Sequence, residues 1–169
     1  PPNVPKADVI FITHAHYDHF SKEDIARIAK ASTAFFAPKD VAYQIKGTVI
    51  AVSPGESYNL GELKVKTIAA YNIGKQFHPK DSHWVGYVIA LSTGQRIYHS
   101  GDSDFTPEMK GVVTDFALIP IGGTYTMTAN EAAEAANAFK PQAVIPMHWG
   151  DIVCSQKDAD EFKKLFRGK

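Results

Sequence analysis

Residues 8–19, DVIFITHAHYDH, join a short apolar segment to three histidines and one aspartate. The apolar part ends at Thr13 and is rich in β-branched residues, which is typical of a strand buried on both faces. The polar residues follow at once, so the sequence places them at the end of a buried strand. Ser21 then has the chemistry of an N-cap, and we expect a helix over residues 22–31.

The spacing of the polar residues in HAHYDH favours metal binding. Residues two apart in an extended segment point the same way, so His14 and His16 can bind one ion. Asp18 and His19, beyond the bend, can serve a second ion. Imidazole and carboxylate groups bind Zn²⁺, Fe and Mn, and a structural role is disfavoured because three histidines would lie at the positive end of a helix dipole. We therefore expect one or two divalent ions, with zinc first and manganese or iron as alternatives.

Two later segments carry one candidate ligand each. Asp102 lies in YHSGDSD, residues 98–104, where Gly101 permits a close approach of the backbone. His148 lies in PMHWG and ends a predicted strand, as His14 does. Each signal is weak alone, because Gly-Asp is common in turns and a lone histidine at a strand end is more often structural. Their order along the chain is what makes them informative.

The other segments alternate between strand and helix patterns. A hairpin is expected around residues 93–95, and Thr128 begins a capping-box pattern before a helix that should stop ahead of Pro141. Ser155 can cap a final helix. The remaining predicted strands lie at residues 33–37, 48–52, 62–71, 84–91, 96–100, 115–121 and 143–147, with a short helical stretch at 41–45. This mixture predicts an α+β layered fold.

Composition limits the classes of function. The chain has 169 residues, which suits a single domain over residues 1–169. Eighteen basic and eighteen acidic side chains give a net charge of zero, so no overall field attracts nucleic acid or anionic lipids. The single cysteine, Cys154, forms no internal disulfide, and no apolar run has membrane-spanning length. We expect a cytoplasmic protein with a small-molecule substrate and no membrane association, and the charge balance disfavours a nucleic-acid partner.

The order HAHYDH, GD, then a strand-terminal histidine resembles the metallo-β-lactamase superfamily. The resemblance becomes closer in AYN at 70–72, HPK at 78–80, GYVI at 86–89, LIPIGGTYTM at 118–127 and IPMHWG at 145–150. Together these motifs look like a branch of small metal-dependent hydrolases that also resembles the L-ascorbate 6-phosphate lactonases.

The resemblance implies a four-layered αββα sandwich with a metal site at one edge between two sheets. It implies that His14 and His16 hold the first metal, while Asp18, His19 and His148 hold the second. Asp102 would bridge the two, and a metal-bound hydroxide would be the nucleophile. Asp18 is the candidate catalytic residue, since it can orient that hydroxide.

The chain departs from the family pattern in two places. A further first-site histidine is expected after the strand near Ala70, where this sequence has Tyr71 or Asn72. His78 and His83 follow in the next loop, and these two with Asn72 are candidates for an additional ligand or a substrate contact. Only thirteen residues precede His14, so we expect a sandwich that lacks its first N-terminal strands, with an exposed sheet edge that favours a homo-oligomer.

The leading hypothesis is a metal-dependent hydrolase of a small ester, lactone or phosphodiester. One alternative is a metal-dependent nuclease acting on RNA, against which the zero net charge counts. The other is a non-catalytic metal-binding or scaffold domain, because the first metal site looks incomplete.

Overall fold

Residues 4–168 are described by the structure, a computed structural model of the chain. Contacts within the chain divide it into two compact units, an N-terminal unit up to Ser53 and a C-terminal unit from Pro54. Each unit has its own sheet and its own hydrophobic core.

The N-terminal unit contains a parallel three-stranded sheet with two helices. The strands β1 (Val9–Phe11), β2 (Ala34–Pro38) and β3 (Thr48–Val52) lie in that order, and β2 is buried along its whole length. Helices α1 (Lys22–Ile28) and α2 (Lys39–Ala42) connect them. The core joins Ile12, Phe20, Phe35, Ala37 and Val41, so the end of β1 is fixed by packing immediately before His14.

The C-terminal unit contains a six-stranded sheet in sequence order. Its strands are β4 (Ser57–Leu60), β5 (Leu63–Ala69), β6 (Val85–Ala90), β7 (Arg96–His99), β8 (Phe116–Pro120) and β9 (Ala143–Met147). Strands β4 to β7 pair antiparallel, whereas β7, β8 and β9 pair parallel. Since parallel strands end at the same sheet edge, the segments that follow β7 and β9 meet there.

Three helices and a 3-10 turn complete the C-terminal unit: the 3-10 turn Lys80–Ser82, α3 (Pro107–Lys110), α4 (Ala129–Phe139) and α5 (Gln156–Leu165). The buried face of α4 consists of alanines and Phe139, which let it lie close to the sheet. This core supports the strand ends that carry the polar residues.

Most predicted elements are present, and the differences are local. Helix α2 covers Lys39–Ala42 instead of residues 41–45, and β1 is half-buried instead of buried on both faces. Helix α1 ends at Ile28 instead of residue 31, because the backbone N–H of Lys30 donates to the Thr33 hydroxyl at 2.9 Å in place of a helical partner. Strand β4 was not expected and forms a hairpin with β5. Helix α3 was also missed, although Thr106 caps it and Pro107 opens it, as in many helix starts.

Among residues 4–168, no helix combines the length and apolar character that crossing a bilayer requires.

Candidate metal-binding clusters

The first cluster consists of His14, His16, Asp18 and His19 in the N-terminal unit. It follows β1 directly and bends into a turn, in which the backbone N–H groups of His19 and Phe20 donate to the His16 carbonyl at 3.0 and 2.8 Å. The sequence folds this way because β1 ends in the core and Ser21 then starts α1. A continuous strand would place His19 on the face opposite to His14, so the turn is what brings the His19 ring beside it.

The side chains of the first cluster are in close contact. The ring centre of His14 lies 4.8 Å from that of His16 and 4.2 Å from that of His19. Nε2 of His19 lies 3.4 Å from Oδ2 of Asp18, whose side chain is 44% exposed, whereas His14 is 1% exposed. The cluster therefore has a buried end at His14 and a water-accessible end at Asp18.

Thr13 orients the buried histidine. Its hydroxyl lies 2.9 Å from Nδ1 of His14, so that ring nitrogen is engaged locally and Nε2 is the nitrogen directed elsewhere. Sequence analysis missed this contact. The available signal was a hydroxyl residue next to a strand-terminal histidine, since a hydrogen-bond partner of one ring nitrogen orients a ligand histidine.

The second cluster consists of His78, Asp102 and His148 in the C-terminal unit. Asp102 follows β7 and His148 follows β9, and the parallel pairing of β7, β8 and β9 brings them to one edge. Oδ2 of Asp102 lies 3.1 Å from Nε2 of His148 and 3.5 Å from Nε2 of His78. The Asp102 side chain is 2% exposed, so its carboxylate is shielded from water and faces two imidazole nitrogens.

The backbone seats His148 tightly. Its φ is +59°, a left-handed conformation that non-glycine residues seldom adopt and that is often found at functional positions. Gly122 packs directly against it: a Cβ there would lie 2.6 Å from the His148 carbonyl oxygen and 2.9 Å from Nδ1. Position 122 is therefore a glycine because any side chain would displace His148.

Asp104 anchors the loop that carries His78. Its carboxylate accepts the backbone N–H of Ile73 at 2.8 Å and the ammonium of Lys75 at 2.7 Å. Lys75 also donates to the Thr126 carbonyl at 2.8 Å. This anchor was not predicted, although Asp104 lies two residues beyond Asp102 in the same motif.

Tyr71 and His83 do not belong to the second cluster. Both line a separate cavity of about 570 Å³. The Tyr71 hydroxyl donates to Glu108 at 2.8 Å, and Lys80 donates to the same carboxylate at 3.0 Å. Burial, followed by the Glu108 contact, raises the pKa of Tyr71. Burial also acts on Glu108, but hydrogen bonds from Lys80 and Tyr71 outweigh it and lower the pKa of that carboxyl. Of the two candidate histidines, only His78 lies beside Asp102.

Both clusters suit a divalent cation. They offer imidazole nitrogen and carboxylate oxygen, the donors that zinc, iron and manganese accept. Within each cluster, candidate donor atoms approach within 4.8 Å of a neighbour, close enough for two of them to reach one ion. The donor chemistry therefore fits the expected metal.

A family model for the beta-lactamase superfamily domain matches residues 1–149. The chain belongs to this superfamily. A UPF0173 metal-dependent hydrolase of Thermococcus onnurineus is 36% identical over 179 residues, which cover 99% of this chain and 78% of that relative. The expected superfamily and the expected metal-dependent hydrolase family are confirmed at this level, whereas the likeness to ascorbate phosphate lactonases stays a prediction.

Solved structures agree with the superfamily assignment. A Parabacteroides distasonis protein described as a metal-dependent hydrolase gives a TM-score of 0.87 at 31% identity, over 98% of this chain and 74% of that one. The metallo-beta-lactamase fold protein YhfI of Bacillus subtilis gives 0.73 at 14% identity, over 95% and 72%. These matches confirm the α+β fold of the superfamily.

Proposed function

We propose that this superfamily member hydrolyses a small ester, lactone or phosphodiester. The reaction would use a divalent metal held by residues of the two clusters, and zinc is the favoured metal. The observation that carries the proposal is the second cluster, where one buried carboxylate oxygen faces imidazole nitrogens at 3.1 and 3.5 Å. A buried carboxylate needs positive charge or donors beside it. A metal ion shared with the histidines would supply that charge.

We assign the residues the roles that the superfamily resemblance implies. By that resemblance, His14 and His16 would hold one ion, Asp18, His19 and His148 would hold another, and Asp102 would also be a ligand. His78 is the candidate for the missing first-site ligand, since its Nε2 lies 3.5 Å from Asp102 Oδ2. Bound metal would supply an activated water, because coordination lowers the pKa of water to about 7.

Asp18 is the candidate for moving a proton during hydrolysis. Its side chain is 44% exposed, so its carboxylate is accessible to water, and its Oδ2 lies 3.4 Å from Nε2 of His19. A carboxylate in this environment can orient the attacking water and accept its proton.

The loop that carries His78 has exposed apolar side chains, which favour a small substrate with an apolar group. Ile73 is 56% exposed and Phe77 is 45% exposed, and the Phe77 ring packs edge-on against Tyr125 at 4.7 Å between centres. Exposed apolar side chains near a polar cluster favour contact with apolar parts of a ligand. The zero net charge favours a small molecule over RNA.

The test is a panel of small esters, lactones and phosphodiesters, with an RNA oligomer, assayed with added Zn²⁺ or Mn²⁺. We expect turnover of a small substrate that is lost in Asp102→Ala and in His16→Ala. His83→Ala is the matched control, because His83 lies on the separate cavity, and it should retain turnover. Turnover of RNA alone would favour the nuclease, and turnover equal in the Asp102 variant and the unmodified protein would reject the proposed site.

A cytoplasmic location, assembly with a second copy of the chain and the absence of membrane and nucleic-acid partners stay predictions.

A further inference from the structure

Asn72 clamps His78 through both backbone and side chain. The backbone N–H of Asn72 donates to the His78 carbonyl at 2.8 Å, and Asn72 Oδ1 accepts the His78 backbone N–H at 3.2 Å. The same Oδ1 lies 3.0 Å from Nδ1 of the His78 ring. Both residues are buried, at 7% and 2% exposed, so these contacts are shielded from water.

These contacts determine where the imidazole proton is. A backbone N–H can only donate, so the Asn72 atom that faces it must be the carbonyl oxygen, Oδ1. A carbonyl oxygen can only accept, so Nδ1 of His78 must carry a hydrogen to make the 3.0 Å contact. In the neutral ring, the lone pair is then on Nε2, the atom 3.5 Å from Asp102 Oδ2.

The opposite tautomer would be unsuited to binding metal at this place. It would put a hydrogen on Nε2, towards Asp102, and a lone pair on Nδ1, where it would face the lone pairs of Asn72 Oδ1. Zinc and similar ions bind the unprotonated nitrogen of a neutral imidazole, and the partner of the other nitrogen sets which one that is.

We propose that Asn72 is a positioning residue that holds His78 in the Nδ1–H tautomer and so presents Nε2 as a metal ligand. This inference rests on the proposed function, in which His78 serves the first ion. It assigns a role to Asn72 at the place where the superfamily pattern expects a histidine: the residue acts through the imidazole of His78.

The second polar atom of Asn72 distinguishes this role from a purely structural one. Among residues 4–168, Asn72 Nδ2 is buried and has no hydrogen-bond partner. A buried donor without a partner costs stability, so an amide is a poor choice if packing alone matters. Asn72→Asp removes that donor and keeps the acceptor for His78, whereas Asn72→Leu keeps the approximate size and removes the acceptor.

The first measurement is of the tautomer itself, in metal-free protein labelled with ¹⁵N-histidine. Long-range ¹H–¹⁵N spectra, with His78 assigned by comparison with His78→Gln, should show a pyrrole-type Nδ1 and a pyridine-type Nε2. A hydrogen on Nε2 in the neutral ring would overturn the proposal. This readout uses no metal, so it holds even if the proposed metal function fails.

The second measurement is Zn²⁺ affinity, by competition with a chromogenic chelator. Asn72→Leu should weaken Zn²⁺ binding about 10- to 100-fold, while Asn72→Asp should stay within about threefold. Asn59→Leu, at an exposed position on β4, is the matched control and should leave the Zn²⁺ affinity unchanged.

Unchanged Zn²⁺ affinity in folded Asn72→Leu, or a large loss of affinity in Asn72→Asp, would overturn the proposal. If Asn72→Leu does not fold, Asn72→Asp and the tautomer spectra decide, and failure of the unmodified protein to bind Zn²⁺ would count against the proposed function alone.

Discussion

At the residue scale, Gly122 offers a test of how His148 is seated. Gly122→Ala would place a Cβ 2.6 Å from the His148 carbonyl oxygen, closer than atoms approach, so His148 must move. We expect Zn²⁺ affinity to fall by at least about tenfold, as for loss of a supporting contact. Chelator competition measures it. Gly111→Ala is the control, because a Cβ there meets no atom closer than 3.8 Å; equal affinities in both variants would show that His148 does not bind metal.

Tyr98 offers a second test at this scale, on stability. Its hydroxyl is fully buried in the C-terminal core and has no hydrogen-bond partner among residues 4–168, and burial raises its pKa. Tyr98→Phe should leave the free energy of unfolding unchanged or raise it by up to about 1 kcal/mol, because an unsatisfied polar group is removed. Urea unfolding measures it.

Tyr71→Phe is the matched comparison for Tyr98→Phe. It removes a hydroxyl that donates to Glu108 at 2.8 Å, so it should cost about 1 kcal/mol. Equal losses of stability in the two variants would mean that the Tyr98 hydroxyl also has a hydrogen-bond partner.

The different locations of the His78 and His83 side chains could be predicted from the sequence only in part. Both lie in one loop, and apart from the family-like HPK at 78–80 the sequence does not separate them. The path of the loop does, because Asn72 and Asp104 hold its first half against Asp102, while His83 takes a left-handed conformation after the 3-10 turn. Such hydrogen bonds within and onto a loop leave no periodic signal in the sequence. The HAHYDH spacing, in contrast, depends on neighbours in sequence and could be interpreted directly.

At the element scale, the capping box of α4 makes stability depend on pH. The backbone N–H of Thr128 donates to Glu131 at 2.8 Å, and the Glu131 N–H donates to the Thr128 hydroxyl at 3.3 Å. Burial tends to raise the pKa of Glu131, but the hydrogen bonds from Thr128 prevail and lower it. The stabilisation is therefore complete above the unfolded pKa near 4.5 and is lost as pH falls through the folded pKa.

Two variants test this box by urea unfolding between neutral and acidic pH. Thr128→Ala should cost about 1 kcal/mol at neutral pH, the usual loss for an N-cap. Glu131→Gln should flatten the acid side of the stability profile, whereas Glu134→Gln, on the exposed face of the same helix, should keep it. A Glu131→Gln profile that matches the unmodified protein would contradict the assignment.

Several elements marked by capping or turn patterns were predictable, whereas short elements that depend on one local pairing were not. The α4 box and the β6–β7 hairpin have sequence signatures, and both are present. Strand β4 depends on pairing with β5, and the early end of α1 depends on the Thr33 hydroxyl. Neither interaction is visible in a pattern of apolar residues.

At the scale of the whole molecule, candidate ligands occur in both units. The first cluster belongs to the N-terminal unit and the second cluster to the C-terminal unit. The motifs lie at strand ends, and their order along the chain was enough to indicate the superfamily. The substrate was not predictable, since specificity depends on loops such as the one that bears Ile73 and Phe77.

Binding of divalent metal by residues of both clusters is tested most directly by the metal content per chain. Protein loaded with Zn²⁺ and dialysed against metal-free buffer is measured by elemental analysis. We predict at least one zinc ion per chain in the unmodified protein. The zinc content should fall clearly in His16→Ala and in Asp102→Ala, and it should be unchanged in His83→Ala. No zinc above background, or full content in both cluster variants, would contradict the account.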